Sequence, residues 1–257
     1  MDILQEIAAA KRLEVAAMKS ATSIADLERT VIPAPRFSFQ RALSRPGNQI
    51  IAEIKQKSPS KGVLSQDFDL TKLASAYFEG GAAALSILTD RKYFGGDPAY
   101  IALAKTVAKL PVLYKDFVVD EYQLYHARSV GADAVLLIVR MMTRKSLSDF
   151  LARAAKLELD CLVETHSEPE IEIALDSGAQ IIGVNCRDLS NFSVSLEVAK
   201  KLGSQIPTGI TKVAESGIST PEDIRALHQS GFNCFLIGES LMKSSDPVQF
   251  LRSLVAA

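Results

Sequence analysis

Short runs of apolar residues alternate with longer amphipathic stretches along most of this chain, from about residue 48 onward. Each run has the length of a buried β-strand, and each amphipathic stretch has the length of a surface helix. The eight runs are 48–55, 82–89, 111–117, 132–139, 160–165, 179–186, 209–216 and 233–240. Strands alternating with helices predict an α/β fold of βα units around a parallel sheet, and eight units close a (β/α)8 TIM barrel.

Glycine follows the helical stretch before four of these runs, at Gly80, Gly131, Gly178 and Gly231. A glycine just past a helix readily adopts the left-handed conformation that returns the chain to the sheet. This repeated glycine supports repeated βα units. An eight-stranded Rossmann-like sheet is the alternative, although no GxGxxG motif follows the first run.

The first 46 residues stand outside this pattern. Apolar residues at helical spacing, among them Ile3, Ile7 and Leu13, predict one helix, and Ser23 is suited to cap a second, short helix. We interpret 1–46 as an N-terminal helical extension packed on the barrel, and 47–257 as the eight βα units of a single domain. A functional alternative is that the extension also covers part of the mouth of the site.

Composition narrows the class of protein. The 257 residues are 47% hydrophobic and 23% charged, which is typical of a folded chain with a large core. The net charge of −1 gives no overall field toward nucleic acid or an anionic membrane. Three widely spaced cysteines indicate neither a disulfide framework nor a metal cluster, and no apolar run approaches the roughly 18 residues of a membrane span. We therefore expect a cytoplasmic protein that uses no metal.

Charged residues end several runs, which is where a TIM barrel holds its catalytic groups. Glu53 and Lys55 are two residues apart, and side chains at this spacing lie on the same face of a strand. We expect both to point into the barrel mouth. Lys115 is a candidate acid, because burial and nearby cations would ease the loss of its proton, and Glu164 is a candidate base. Each of these residues also has a structural alternative. Glu53 and Lys55 could form an ion pair that plugs the barrel, and Lys115 could be a surface lysine paired with Asp116. Glu164 could be the salt-bridge partner of a lysine across the barrel.

The sixth run ends with Asn185 and Arg187 on one face. Arg187 offers a fixed positive fork for an anion or, alternatively, an ion pair with Asp188 or a neighbouring loop. His166 follows Glu164 and is at most an auxiliary. The two other histidines, His126 and His228, lie in helical stretches without metal-ligand spacing.

The last two runs predict a phosphate site. Gly217 and Gly238 let backbone N–H groups approach a ligand closely, and a short helix can begin at Glu239. Loops after strands seven and eight, together with the start of a short helix, form the phosphate site common in this fold. The segment KSPSKG after the first run is more typical of a lid or binding loop than of a plain connection.

Seven motifs together resemble the indole-3-glycerol phosphate synthase family: AEIKQKSPSKG, LSILTDRKYFGG, PVLYKDFVVDEYQ, LVETH, GVNCRDL, VAESGI and LIGESLM. They occur in the family's order and span nearly the whole chain. The resemblance implies a cofactor-free lyase of tryptophan biosynthesis. Its substrate would be 1-(2-carboxyphenylamino)-1-deoxyribulose 5-phosphate, and its products indole-3-glycerol phosphate, CO₂ and water.

The resemblance also implies roles for individual residues. Lys115 would protonate the substrate carbonyl oxygen, and Glu164 would act as the base during dehydration. Lys55 would bind the anthranilate carboxylate and the phosphate and donate a proton, while Glu53 would organise the lysines and the sugar hydroxyls. The family's other polar positions match Asn185, Arg187, the lid residue Ser58, and Glu215 and Ser216 after strand seven.

Apolar residues near the strand ends would clamp the anthranilate ring, and we expect this of Phe117, Leu136 and Leu189. Glu239 stands where family members have a small hydroxyl residue, so we expect its backbone N–H to bind and its side chain to turn away. We expect a monomer whose partner is a small phosphosugar. The rival interpretations are a phosphoribosylanthranilate isomerase-like barrel and a non-catalytic phosphosugar-binding barrel.

Overall fold

The computed structural model describes residues 3–30, 38–58, 62–63, 67–188 and 192–257. The strands in these ranges are β1 Gln49–Ile54, β2 Lys57–Ser58, β3 Gly62–Val63, β4 Ala84–Leu88, β5 Val112–Lys115, β6 Ala134–Ile138, β7 Asp160–Thr165, β8 Ile181–Asn185, β9 Thr211–Glu215 and β10 Cys234–Ile237. The α-helices are α1 Ile3–Ala21, α2 Ile24–Arg29, α3 Phe39–Leu43, α4 Leu70–Glu79, α5 Arg91–Phe94, α6 Ala99–Val107, α7 Tyr122–Ser129, α8 Arg144–Lys156, α9 Glu168–Asp176, α10 Leu196–Gly203, α11 Pro221–His228, α12 Glu239–Met242 and α13 Pro247–Val255. A 3₁₀ turn covers Val139–Met141.

Eight strands form a closed barrel in the order β1, β4, β5, β6, β7, β8, β9, β10 and back to β1. Every neighbouring pair is parallel, and the barrel closes where Gln49 of β1 pairs with Cys234 of β10. Each predicted apolar run contains one of these strands. The (β/α)8 fold is therefore confirmed, and the open Rossmann-like sheet is wrong.

The two remaining strands form a small antiparallel hairpin directly after β1, in which Lys57 pairs with Val63. This hairpin lies in the segment that we predicted only as a lid or binding loop. The residues between its strands, and the side chain of Ser58, lie outside the described part of the chain.

The barrel strands are buried on both faces, as expected of a parallel sheet covered by helices. One face fills the barrel interior with residues such as Leu113, Leu162 and Val213, and the other face packs against the surrounding helices. The short helix α3 closes the amino-terminal end, because Phe39 and Leu43 belong to the interior cluster. The opposite end, at the carboxyl ends of the strands, holds the site.

Helices α1 and α2 confirm the predicted helical extension. Ser23 caps α2 through a reciprocal capping box with Asp26. Val15 and Leu27 pack with Tyr122 of α7 in a buried apolar cluster, which attaches the extension to the barrel. In the part of the chain that the structure describes, no helix is long and apolar enough to cross a membrane.

The glycine prediction is correct at three of four positions. Gly131, Gly178 and Gly231 have φ of 90°, 91° and 80°. It is wrong at Gly80, whose φ is −70°. The left-handed residue there is Gly81, and Gly80 instead permits close packing, because a Cβ on it would lie 2.9 Å from Cδ2 of Leu251.

Candidate active site

A cavity of about 580 Å³ opens at the carboxyl ends of the barrel strands. Its wall contains every predicted site residue whose side chain the structure describes: Glu53, Lys55, Lys115, Phe117, Leu136, Glu164, Asn185, Arg187, Glu215, Ser216, Gly217, Gly238 and Glu239. The other two predicted residues cannot be placed: Leu189, and the side chain of Ser58, lie outside the described part. Residues far apart in sequence thus converge because strand ends meet at one rim of the barrel.

Glu53 and Lys55 form an ion pair of 2.6 Å between Oε1 and Nζ. Burial by itself would raise the pKa of Glu53, but the ammonium groups of Lys55 and Lys115 outweigh burial, and the pKa is lowered. Glu53 is therefore an ionised carboxylate at neutral pH. The ion pair that the structural alternative proposed is therefore present. It lines the cavity, however, and does not plug the barrel.

Lys115 ends β5, and its Nζ lies 3.7 Å from Oε2 of Glu164. Burial lowers the pKa of Lys115, whereas the carboxylates of Glu164 and Glu53 raise it, and the net direction is upward. The expectation that its surroundings would ease proton loss is therefore wrong, because those surroundings are anionic. The surface-lysine alternative is wrong as well, since the Lys115 side chain is only 17% exposed.

Glu164 is the penultimate residue of β7 and is contacted from two sides. The amide Nδ2 of Asn185 donates to its Oε1 over 3.1 Å. The imidazole Nε2 of His166 lies 3.3 Å from the same oxygen. With Lys115 beside Oε2, the carboxylate is held at both oxygens.

Glu215 ends β9 and is almost completely buried. Burial, and then the negative charge of Glu164, raise the pKa of Glu215 well above its ordinary value. A Cβ on Gly183 would lie 2.0 Å from Oε1 of Glu215, so only glycine leaves room for this carboxyl group. Glu215 therefore keeps its proton more strongly than an ordinary glutamate does.

The predicted phosphate site combines two glycines with the start of a helix. Ser216 and Gly217 both have positive φ, 69° and 83°, which is a strained conformation for serine. Gly238 precedes α12, and a Cβ on Gly238 would lie 2.6 Å from Oε1 of Glu53 and 3.1 Å from Nζ of Lys55. The ammonium of Lys55 thus lies directly beside the start of the helix.

The Glu239 side chain lies in the cavity wall, where its charge is compensated. Its Oε1 accepts from Nζ of Lys243 over 2.6 Å, and its Oε2 lies 3.9 Å from Nη2 of Arg187. Arg187 also donates to the carbonyl of Phe192. Arg187 thus pairs with a carboxylate of α12, and its role as a fork for an anion stays a prediction.

Sequence reasoning missed several apolar wall residues. The ring of Phe94 lies 6.0 Å from the ring of Phe117, and Ile138 and Val194 add to the same wall. Phe94 comes from α5, a short helix in the motif LTDRKYFGG, and that motif was the available signal. A lone aromatic residue in so short a segment belongs to no periodic pattern that would mark it as part of a site.

Lys11 of α1 was also missed, although its side chain is only 2% exposed. Its Nζ lies 2.8 Å from Oδ2 of Asp90 and 2.9 Å from Oδ1 of Asp116, and a third carboxylate, of Glu14, lies 2.9 Å away. The extension thus contacts the loops after β4 and β5. Among the described residues before β1, none lines the cavity, so these residues do not form part of its mouth.

The three cysteines are free, and Cys186, which directly follows β8, is buried in the cluster of residues that packs against the helices. Within the described ranges, no group of three or more His, Cys, Asp or Glu side chains is arranged to hold a metal ion.

The fold and the cavity define a TIM-barrel protein whose lysines and glutamates converge at the carboxyl ends of the strands, where enzymes of this fold hold their catalytic groups. The family model for indole-3-glycerol phosphate synthase matches residues 4–254. The chain belongs to the indole-3-glycerol phosphate synthase family.

Individual relatives agree with this assignment. Indole-3-glycerol phosphate synthase of Lachnoclostridium phytofermentans is 46% identical over 240 residues, which cover 92% of this chain and 89% of the relative. The enzyme of the same name from Thermoanaerobacter sp. is 43% identical over 253 residues, covering 98% and 97%. A crystal structure of 3-hexulose-6-phosphate synthase, 15% identical, superposes with a TM-score of 0.66 over 81% of this chain and 98% of that one. At this low identity the superposition supports the fold alone.

Proposed function

We propose that the protein catalyses the ring-closing step of tryptophan biosynthesis. It converts 1-(2-carboxyphenylamino)-1-deoxy-D-ribulose 5-phosphate into indole-3-glycerol phosphate, CO₂ and water, and is thus a carboxy-lyase that forms a carbon–carbon bond. The observation that carries this proposal is the buried pair of Lys115 and Glu164, 3.7 Å apart in the cavity of a family member. A cation for acid catalysis and a carboxylate for base catalysis are both in place.

Ring closure needs an acid. The aromatic carbon that carries the carboxylate attacks the ribulose carbonyl carbon, and the carbonyl oxygen takes a proton from the Lys115 ammonium. Because the carboxylates of Glu164 and Glu53 raise the pKa of Lys115, the lysine carries this proton at neutral pH. Loss of CO₂ returns the electron pair of the broken bond to the ring.

Dehydration then needs an acid and a base. The hydroxyl formed from the carbonyl leaves as water after Lys55 protonates it, and Glu164 accepts the proton that the five-membered ring loses. Glu53 holds Lys55 through its 2.6 Å ion pair, and Asn185 holds Glu164. The reaction forms one carbon–carbon bond, breaks another as CO₂ leaves, and otherwise moves protons, with no external oxidant or reductant, so the proposal includes no cofactor.

Substrate binding places the phosphate between Gly217 and the start of α12, with the Lys55 ammonium beside it. The compensation of Glu239 by Lys243 and Arg187 reduces its repulsion of the phosphate. The anthranilate ring would pack against Phe117 and Leu136 of the apolar wall, and we assign the same role to Leu189. Further polar contacts to the substrate are assigned to Ser58, Arg187, Glu215 and Ser216.

The partner in this proposal is a small phosphosugar, without nucleic acid or membrane. The three free thiols suit a reducing compartment, and we place the protein in the cytoplasm. We also propose that the extension and the barrel form one domain, since Lys11 contacts two loops of the barrel. We further propose that the protein is a monomer. Light scattering of the purified protein tests the monomer.

Purified protein mixed with the carboxyphenylamino-deoxyribulose phosphate tests the activity. Indole fluorescence and CO₂ should appear together, and the chain has no Trp, so its own background is low. Binding without either product would favour the non-catalytic phosphosugar-binding barrel. Turnover of phosphoribosylanthranilate in place of this substrate would favour the isomerase-like barrel.

A further inference from the structure

His166 lies behind the proposed base, outside the cavity wall. Its side chain is 3% exposed, and it follows Glu164 by two residues at the end of β7. Its Nε2 is 3.3 Å from Oε1 of Glu164, and its Nδ1 is 3.4 Å from Oε2 of Glu170. A buried imidazole thus connects the proposed base to a second carboxylate.

Glu170 is fixed from two directions. It belongs to the first turn of α9, and its Oε2 accepts the backbone N–H of His166 over 2.8 Å. Its Oε1 accepts from Nε of Arg140 over 2.8 Å. Burial by itself would raise the pKa of Glu170, but the bonds from His166 and Arg140 lower it to about 2. Glu170 is therefore a fixed anion that anchors the imidazole from behind.

The chemistry of these groups limits their hydrogen positions. An ionised carboxylate has acceptors only, so a ring nitrogen that faces it is stabilised when that nitrogen carries a hydrogen. Glu170 already receives two N–H groups, from Arg140 and from the His166 backbone. Oε1 of Glu164 receives one, from Asn185. A hydrogen on Nε2 would give Oε1 its second donor and leave Oε2 beside Lys115.

We propose that His166 is a positioning residue for Glu164: its Nε2–H holds Oε1 of the base, so that Oε2 stays beside Lys115. The inference rests on the role proposed for Glu164. Both ring nitrogens are buried and lie 3.3 and 3.4 Å from carboxylate oxygens without completing a hydrogen bond in this structure, and a small rotation of the ring would complete both.

Two substitutions separate the two ring nitrogens. In His166→Gln the amide nitrogen reaches close to the position of Nε2, and in His166→Asn it reaches close to the position of Nδ1 and faces Glu170. Both variants lose the ring and should lose similar thermal stability. Only the Asn variant should lower kcat, by about tenfold with KM nearly unchanged, while the Gln variant should stay within about threefold of the native kcat.

His228→Asn serves as the matched control. Its ring packs edge-on against Phe235 at 5.9 Å, so the control also removes a ring contact but lies in α11. It should lower stability without changing kcat. Equal kcat values for His166→Gln and His166→Asn would overturn the positioning role.

Glu164→Gln, measured beside these variants, distinguishes a failure of the positioning role of His166 from a failure of the proposed base. If that variant is inactive and the two His166 variants are equal, only the positioning proposal fails. If Glu164→Gln turns over normally, the proposed base fails and the positioning proposal fails with it.

The native protein allows a test that needs no variant. The chain has three histidines, so ¹⁵N NMR of their rings can be assigned with few labelled samples. We expect the His166 ring to carry a hydrogen on Nε2 at neutral pH. A signal showing a bare Nε2 and a hydrogen on Nδ1 alone would overturn the proposal.

Discussion

The ammonium group of Lys11 lies 2.9 Å from Oδ1 of Asp116, the residue that directly follows Lys115. The other oxygen of Asp116 accepts from Thr89 over 2.7 Å, and Asp116 Oδ1 also accepts the backbone N–H of Phe117. One buried cation from the first helix therefore holds the segment that carries both the proposed acid and an aromatic wall residue.

Replacing Lys11 with Met should reduce both stability and turnover. The substitution keeps an apolar stem of similar length but leaves buried carboxylates without their cation, which costs about 3 to 5 kcal/mol of unfolding free energy. Displacement of the segment after β5 should also lower kcat/KM by at least about tenfold. Urea unfolding and steady-state kinetics measure the two effects.

Lys19→Met on the same helix is the control for this prediction. Lys19 pairs with Asp120 at 2.7 Å, but its side chain is 44% exposed. Exposed pairs contribute about 1 kcal/mol or less, so this variant should remain near native in both measurements. A Lys11→Met protein with native stability and turnover would contradict the anchoring role.

Removing the proposed acid or base should abolish most turnover. Lys115→Met and Glu164→Gln should each lower kcat by about 10²- to 10⁴-fold, because a positioned proton donor or acceptor contributes that much to rate. Substrate binding should remain measurable by calorimetry, since the phosphate end of the site is unchanged. Near-normal kcat in either variant would remove that residue from its proposed role.

The strand ends show how much of the site could be predicted from sequence. Apolar runs located the eight strands, and the period of two placed Glu53 and Lys55 on the inner face, where the structure has them. Barrel closure then brings Glu164 and Lys115 together, although they are far apart in sequence. Regular geometry was sufficient here, because every strand ends at the same rim.

The contacts of Lys11 and the direction of the Lys115 pKa shift could not be predicted in this way. A lysine in an amphipathic helix usually faces solvent, and nothing near Lys11 in sequence indicates that Asp90 and Asp116 will meet it. The direction of the Lys115 pKa shift depends on its distances to the carboxylates of Glu164 and Glu53, which belong to other strands. Such distances follow from the closed barrel and not from any local pattern.

The pH dependence of turnover should report the carboxylates around Lys115. Its pKa is raised above the ordinary value of 10.5, so the acid stays protonated, and active, until alkaline pH. Glu53→Gln removes one of the negative charges that raise this pKa. The alkaline limb of the kcat/KM profile should therefore move to lower pH in that variant.

Glu222→Gln is the control for the pH profile, because Glu222 is an exposed residue of α11 paired with Arg225. Its profile should overlay the native one. An alkaline limb that stays in place, or moves to higher pH, in Glu53→Gln would show that Glu53 does not set the charge state of the acid.

Gly238→Ala should weaken binding at the phosphate end. The backbone of Gly238 has φ of −127° and ψ of −66°, which is not the left-handed conformation that favours glycine, so the barrel should still fold. The new Cβ would lie 2.6 Å from Oε1 of Glu53 and 3.1 Å from Nζ of Lys55, and it would displace the ion pair beside the start of α12. We expect KM to rise by about tenfold or more, and competitive inhibition by inorganic phosphate to weaken in parallel.

Ser253→Ala in α13 provides the comparison, since its hydroxyl only donates to the carbonyl of Phe250 in the same helix. Circular dichroism should show native secondary structure in both variants. If Gly238→Ala folds and keeps the native KM and the native phosphate inhibition, the phosphate does not bind beside Gly238. The phosphate would then bind elsewhere on the rim. Arg187 and Lys243, the two cations that contact Glu239 at the start of α12, would be the next candidates.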